Sequence, residues 1–270
     1  MNETTNTHQV TVDVFDTEGD RYLLHSGPDL INQTLKTTAW EPLTLQVAKL
    51  FLDAMHEPTV LDIGGNLGAF AVPIGRYIQS RGGTLHTFEP QRMLYYQLCG
   101  NLFVNQLSNC HAHHLALGAE DGTIDVPQLQ LGEHSNLGAL SLDRQLADRA
   151  RRAKTSEPVP LKTLDALNLP PATLIKIDIE GMELPVLKGG RAYLERSGWP
   201  VLLLEVWGPQ YPRLKPWSDA LLKYVREDLG YECHILGELG IAQHPSNMPL
   251  LIQAGTSPNA LDFSRHPNRR

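Results

Sequence analysis

Apolar and polar residues change rhythm several times along this chain, and each change marks an element. From Val10 the run VTVDVF alternates with the period of two of a half-buried strand, and RYLLHSGP resumes the pattern after a turn at EGD. Residues 41–56, EPLTLQVAKLFLDAMH, place apolar side chains at 43, 45, 47, 50, 51, 54 and 55. That stripe predicts an amphipathic helix opened by Glu41-Pro42. Short apolar runs follow: TVLDI (59–63), TLHTF (84–88), HAHHLAL (111–117), TLIKID (173–178) and VLLLEV (201–206). Helices are expected between them over 69–80, 91–105 and 183–196, the last capped by Gly198, with a final helix over 217–229. YECHIL (231–236) and PLLIQA (249–254) are expected to form an antiparallel edge joined by a long turn.

Strands alternating with helices define an α/β fold with a mostly parallel sheet and right-handed crossovers. Such sheets bind ligands beyond the carboxyl ends of their strands, where the strand order switches. The residues to inspect are therefore those ending each run: Asp62, Glu89, Leu117, Asp178 and Glu205. Residues 119–158 break the rhythm and read as an insertion expected to shape the acceptor site. The division expected is an extension over 1–56, a domain over 57–256 and a flexible tail over 257–270, with polar residues 1–10 disordered.

Composition narrows the partners. A 41% apolar, 20% charged chain of 270 residues is an ordinary globule, and a formal net charge of -7 argues against polyanion binding. Basic side chains at 144, 149, 151, 152 and 154 are read as a solvated helix face, and no aromatic-basic interleaving suggests nucleic acid. Cys99, Cys110 and Cys233 form no metal-type pair, and no apolar run approaches a membrane span. A cytoplasmic protein with reduced thiols is the expectation.

The turn VLDIGGNLGAF carries the first chemistry. Gly64, Gly65 and Gly68 are not the dinucleotide fingerprint, because Asn66 stands where its middle glycine would be. Asn is the best non-glycine residue for the left-handed backbone such a turn needs. Asp62 can orient the turn or accept from a cationic group. Glu89, 25 residues after Gly64, can accept both hydroxyls of a ribose. Together these describe a site for a nucleoside with a cationic, amino-acid-like tail, which fits S-adenosylmethionine better than NAD.

VLDIGGNLGAF, HTFEP, NLFVNQL, LALG, LKTLDAL and KIDIEGMELPVLKGG occur in the order seen in the FkbM family of S-adenosylmethionine-dependent methyltransferases, which this chain resembles over roughly residues 30–207. Gly65 departs mildly from that pattern, where Ala is common. The resemblance implies a Rossmann-like class I methyltransferase fold: a seven-stranded, mostly parallel sheet with an antiparallel C-terminal strand. It also implies methyl transfer, usually to a hydroxyl of a sugar or secondary metabolite.

The reacting end is expected at KIDIEGMEL (176–184). A hydroxyl attacks a methyl group only if a base or metal takes its proton. Asp178 or Glu180 is expected to act as general base with a pKa raised by acidic neighbours. Alternatively, Asp178 and Glu205 hold Mg²⁺, although Val206 stands where a third ligand is usual. Glu183 is assigned to the start of the next helix, where it favours the dipole. The cofactor set is then Asp62, Gly64, Asn66, Gly68 and Glu89, with Ala116 and Leu117 at the adenine edge. Trp40-Glu41 can close over the site or simply start a helix; His113 and His114 are read as structural, and Cys99 as helix core. N-methylation, intramolecular alkylation releasing methylthioadenosine, and a non-catalytic binding protein stay open as alternatives.

Overall fold

The computed structural model describes residues 10–53, 55–128, 155–255 and 260–265. The chain opens with an antiparallel hairpin, β1 (Val12–Thr17) and β2 (Asp20–His25). Glu18 and Gly19 both take positive φ there, as a two-residue turn matched to strand twist requires. Helices α1 (Leu30–Thr34) and α2 (Pro42–Leu52) follow. Then come β3 (Thr59–Ile63), α3 (Ala71–Gln79), β4 (Thr84–Phe88), α4 (Arg92–Val104) and β5 (Cys110–His113). After these lie β6 (Ala116–Leu117), β7 (Gly122–Pro127), β8 (Ser156–Lys162), β9 (Leu174–Ile177), α5 (Glu183–Lys188), α6 (Arg191–Arg196) and β10 (Val201–Glu205). Helix α7 (Lys215–Lys223), β11 (Glu232–Leu236), β12 (Leu239–Gln243), β13 (Leu250–Ala254) and β14 (Leu261–Arg265) complete the described chain.

Seven strands form the central sheet in the order β11-β12-β10-β9-β3-β4-β5. All its neighbours are parallel except β12, which runs antiparallel to both β10 and β11. This is the class I methyltransferase arrangement that the family motifs imply. Alternate strand residues feed two cores. Val60, Leu174 and Leu203 pack with α2 and α3 on one face, whereas Leu61, Ile175 and Leu202 pack with α5 and α6 on the other. Burial on both faces explains why these strands read as mainly apolar runs rather than as alternating ones. The strand order reverses between β3 and β9, so the crevice expected for a ligand lies at their carboxyl ends.

Four expectations need correction. The run 111–117 is two strands, because β5 ends at His113 and Ala116–Leu117 pairs instead with β8 in a small side sheet. Adjacent His113 and His114 break the alternation. His113 stacks on Phe88 over the sheet, while His114 turns to Tyr95 and to the Pro90 carbonyl, 3.1 Å from its Nε2. The helix expected over 183–196 breaks at Gly189-Gly190, where a Cβ on Gly189 would sit 2.1 Å from the Gly118 carbonyl oxygen. The helix expected over 217–229 starts at Lys215 and ends in a π-helical turn, Tyr224–Asp228. Strand β11 pairs with the adjacent β12 across the short turn Gly237-Glu238, since a local hairpin closes less chain than a long return. PLLIQA pairs instead with β14, inside the expected tail. The basic stretch 143–154 lies outside the described residues.

The family motif NLFVNQL has a structural job. From α4, Asn101 Oδ1 accepts the Leu23 N–H at 2.6 Å and its Nδ2 donates to the Leu67 carbonyl at 2.7 Å. Asn105, one helical turn on, accepts from Arg21 N at 2.9 Å and donates to Arg21 O at 2.6 Å. These two side chains tie the hairpin to the turn after β3.

Candidate functional site

A cavity of about 400 Å³ opens at the carboxyl ends of β3, β4, β9 and β10. Gly64, Asn66, Glu89, Ala116, Leu117, Asp178, Glu180 and Glu205 all line it. Asp62 and Gly68 do not; they stand behind the wall and shape it. Gly64 must be glycine on two counts: its φ is +89°, and a Cβ there would lie 2.0 Å from the Asp178 carbonyl oxygen. The two strand-end turns therefore meet at backbone contact. Gly65 approaches Thr87 just as closely, with a notional Cβ 2.0 Å from Oγ1. Asn66 takes the left-handed conformation expected of it, at φ 47°.

Glu89 holds this turn. Its Oε2 accepts the Asn66 N–H at 2.9 Å and its Oε1 accepts the Gln91 N–H at 2.7 Å. A carboxylate offers about four acceptor sites, so two remain for a vicinal diol. Burial pushes the Glu89 pKa up to about 7, against the pull of those two amides. Beside it, Phe88, Leu94, Leu115, Ala116 and Leu117 give an apolar end suited to a purine face. Ala116 and Leu117 get there through the side sheet, not as the end of the third strand.

The opposite end of the cavity is acidic, and its organiser is Lys176. This lysine on β9 is only 7% exposed in its side chain, with its ammonium 3.4 Å from Asp62 Oδ1 and 3.2 Å from Asp178 Oδ2. It also donates to the Gly64 carbonyl at 3.4 Å and lies 5.6 Å from the Phe70 ring centre. Burial works against its charge, but Asp178, Asp62 and Glu41 outweigh that and push its pKa up. Asp62 is fully buried and accepts from the Thr87 hydroxyl at 3.1 Å. The cationic group that Asp62 meets is thus the chain's own Lys176. Sequence reasoning passed over Lys176, although one lysine inside the apolar run TLIKI was the signal: a buried ammonium needs partners nearby.

The carboxylates expected at the reacting end, Asp178, Glu180 and Glu205, line the same cavity. Glu205 Oε1 accepts from Trp207 Nε1 at 3.2 Å, while Oε2 is buried without a hydrogen-bond partner. Burial first, then Asp178, Glu180, Glu183 and Glu41, push the Glu205 pKa well up. Glu41 is also raised, by burial and then Asp178. Asp178, by contrast, is ion-paired with the Lys176 ammonium. Glu183 starts α5 and accepts from Ile179 N at 3.0 Å and Gly181 N at 3.2 Å, a turn-forming role; burial pushes its pKa up to about 7. Glu41, Asn66 and Glu180 all take positive φ, and all three line this cavity. Strained backbone of this kind concentrates at binding sites. Trp40 lines the cavity too.

The residues do not fit a magnesium site. Among the described residues no group of three or more His, Cys, Asp or Glu is arranged to hold a metal ion. The ammonium of Lys176 already stands against Asp178, where a cation would go.

Sheet order and glycine turn define an α/β protein with its main cavity at the strand switch point. Comparison with known proteins gives the family: residues 62–233 match the methyltransferase FkbM domain, and the chain belongs to that family. Methyltransferase 1 of Beauveria bassiana is 30% identical over 158 residues, 53% of this chain and 61% of that protein. Methyltransferase sdnD of Sordaria araneosa is 28% identical over 204 residues, 65% of this chain and 74% of that protein. An FkbM methyltransferase crystal structure from Methylobacillus flagellatus superposes with a TM-score of 0.45 at 20% identity, covering 70% of this chain and 44% of the other. No helix among the described residues is long and apolar enough to cross a membrane.

Proposed function

We propose that this chain is an S-adenosylmethionine-dependent methyltransferase acting on a hydroxyl of a small molecule of the sugar or secondary-metabolite type. One observation carries the reading: the glycine turn, Glu89 and the Asp178–Glu205 pair, far apart in sequence, line a single cavity at the strand switch. When bound, the cofactor supplies an electrophilic methyl group on a positively charged sulfur. Gly64 and Asn66 give the backbone its close approach, Gly68 shapes the turn behind them, Glu89 accepts the ribose hydroxyls, and Ala116 and Leu117 cover the base. The acidic end suits a cationic cofactor, since carboxylates there favour positive charge.

At the acceptor, Glu205 takes the hydroxyl proton. Its raised pKa brings it nearer the working pH, where a general base is most effective. Asp178, fixed by Lys176, orients that hydroxyl, and Glu180 narrows the mouth from its left-handed turn. The test is turnover in Asp178→Asn, followed as S-adenosylhomocysteine released with a panel of hydroxylated acceptors. We expect turnover to fall by at least about a hundredfold, with cofactor affinity within a few-fold of native. Native turnover in that variant contradicts the assignment. Release of methylthioadenosine would favour alkylation by the amino-acid chain instead.

A further inference from the structure

A second cavity, of about 220 Å³, borders the first. Glu41, Lys176, Asp178, Glu205 and Glu238 line both, but neither the Gly64–Gly68 turn nor Glu89 reaches the second. It lies between the start of α2, the ends of β9 and β10, and the β11–β12 turn. Its walls thus hold four carboxylates and one ammonium. That ammonium is already engaged, 3.4 Å from Asp62 and 3.2 Å from Asp178.

The other three acids make no ion pair, and only Glu41 feels the Lys176 charge, at longer range. No ion pair among the described residues includes Glu41, Glu205 or Glu238. Their side-chain donors are neutral: Trp207 Nε1 for Glu205, the Tyr211 hydroxyl and Gln210 Nε2 at 3.5 Å for Glu238, and Thr44 and Trp40 for Glu41. Glu205 lines both cavities, and its buried Oε2 has no hydrogen-bond partner. Carboxylates that face one cavity repel each other, and a fold tolerates the arrangement when a positive ligand completes it. The arrangement does not suit a metal ion, as shown above. Leu236 and Leu239 add an apolar wall, which suits a carbon skeleton bearing a charged group.

We propose that this second cavity is an acceptor subsite for a protonated amine, so that the substrate carries an ammonium group beside the hydroxyl that is methylated. The proposal rests on the methyltransferase reading for its role, but the amine preference can be measured without turnover. Acceptors bearing phosphate or carboxylate at this position are excluded by the same charges. The cofactor's own ammonium has the same chemistry, and the test separates the two sources.

The test is calorimetric titration of the S-adenosylhomocysteine complex with matched pairs, glucosamine against glucose and 2-phenylethylamine against 2-phenylethanol. Each amine is expected to bind at least about tenfold tighter than its alcohol, the worth of one charge-assisted hydrogen bond. The isosteric double variant Glu41→Gln/Glu238→Gln should erase that difference while melting like the native protein. Equal affinities within the pairs, or a preference that survives the double variant, would overturn the proposal. So would amines that compete with S-adenosylmethionine, because the acids would then serve the cofactor. Absence of S-adenosylmethionine binding with the amine preference intact would strike the methyltransferase reading and leave the amine site standing.

Discussion

Lys176→Met removes the ammonium at the centre of the site while keeping most of the apolar stem. Asp62, with no exposure to solvent, is then left with the Thr87 hydroxyl at 3.1 Å as its side-chain donor. Removing one member of a buried ion pair costs about 3–5 kcal/mol, because the remaining charge has no counter-ion. Asp62 escapes part of that cost by taking up a proton. Burial already pushes its pKa up, and Lys176 is the largest influence holding it down. A carboxyl with a folded pKa above its unfolded value stabilises the fold below the unfolded value and loses that contribution as pH rises through the folded one. With an unfolded pKa near 3.9, the deficit of the variant should be about 1–2 kcal/mol at about pH 5 and about 3–5 kcal/mol at about pH 8. Urea unfolding followed by tryptophan fluorescence measures it at both values. The double variant Asp62→Asn/Lys176→Met removes both charges and should regain most of the loss. A single variant as stable as the native protein at both pH values, or a deficit that shrinks with rising pH, would refute the reasoning.

Three further outcomes follow from other parts of the site. Gly64→Ala places a methyl group 2.0 Å from the Asp178 carbonyl at φ +89°, and should cost about 2–4 kcal/mol in thermal or urea unfolding, with cofactor affinity lost alongside. Asn101→Ala leaves the Leu23 N–H and the Leu67 carbonyl without their side-chain partner. At about 1–3 kcal/mol per buried group it should destabilise the fold and speed hydrogen exchange at Leu23. Glu205→Gln should abolish the rising limb of the kcat/KM pH profile, which for the native protein is expected above the ordinary carboxylate range because burial raises that pKa. A profile unchanged in Glu205→Gln would move the base role elsewhere.

Much of this was legible in the chain, for identifiable reasons. Thr59–Ile63 and Thr84–Phe88 are legible to the residue because short runs rich in β-branched, aliphatic and aromatic residues are bounded by Gly and Glu-Pro. Their ends then located Glu89 and the glycine turn. Misses arose where contacts distant in sequence overrode the local pattern. Nothing near Gly189 announces the Gly118 carbonyl packed against it where the helix breaks, and nothing near Ala116 announces Leu161, its partner across the insertion. The general-base expectation weighed the acids of KIDIEGMEL against one another and overlooked the lysine that begins it. In the fold that lysine is inside and Asp62 comes to it from another strand, so the charge balance could be read only in three dimensions.

The central claim is that Glu89 and the glycine turn hold S-adenosylmethionine, and calorimetric titration of the purified protein with that cofactor tests it most directly. Because burial lifts the Glu89 pKa to about 7 and a diol donates to the ionised form, affinity should rise as pH passes upward through that value. We predict binding on the order of micromolar that weakens at least about tenfold in Glu89→Ala. No binding, or binding indifferent to Glu89, would contradict the account.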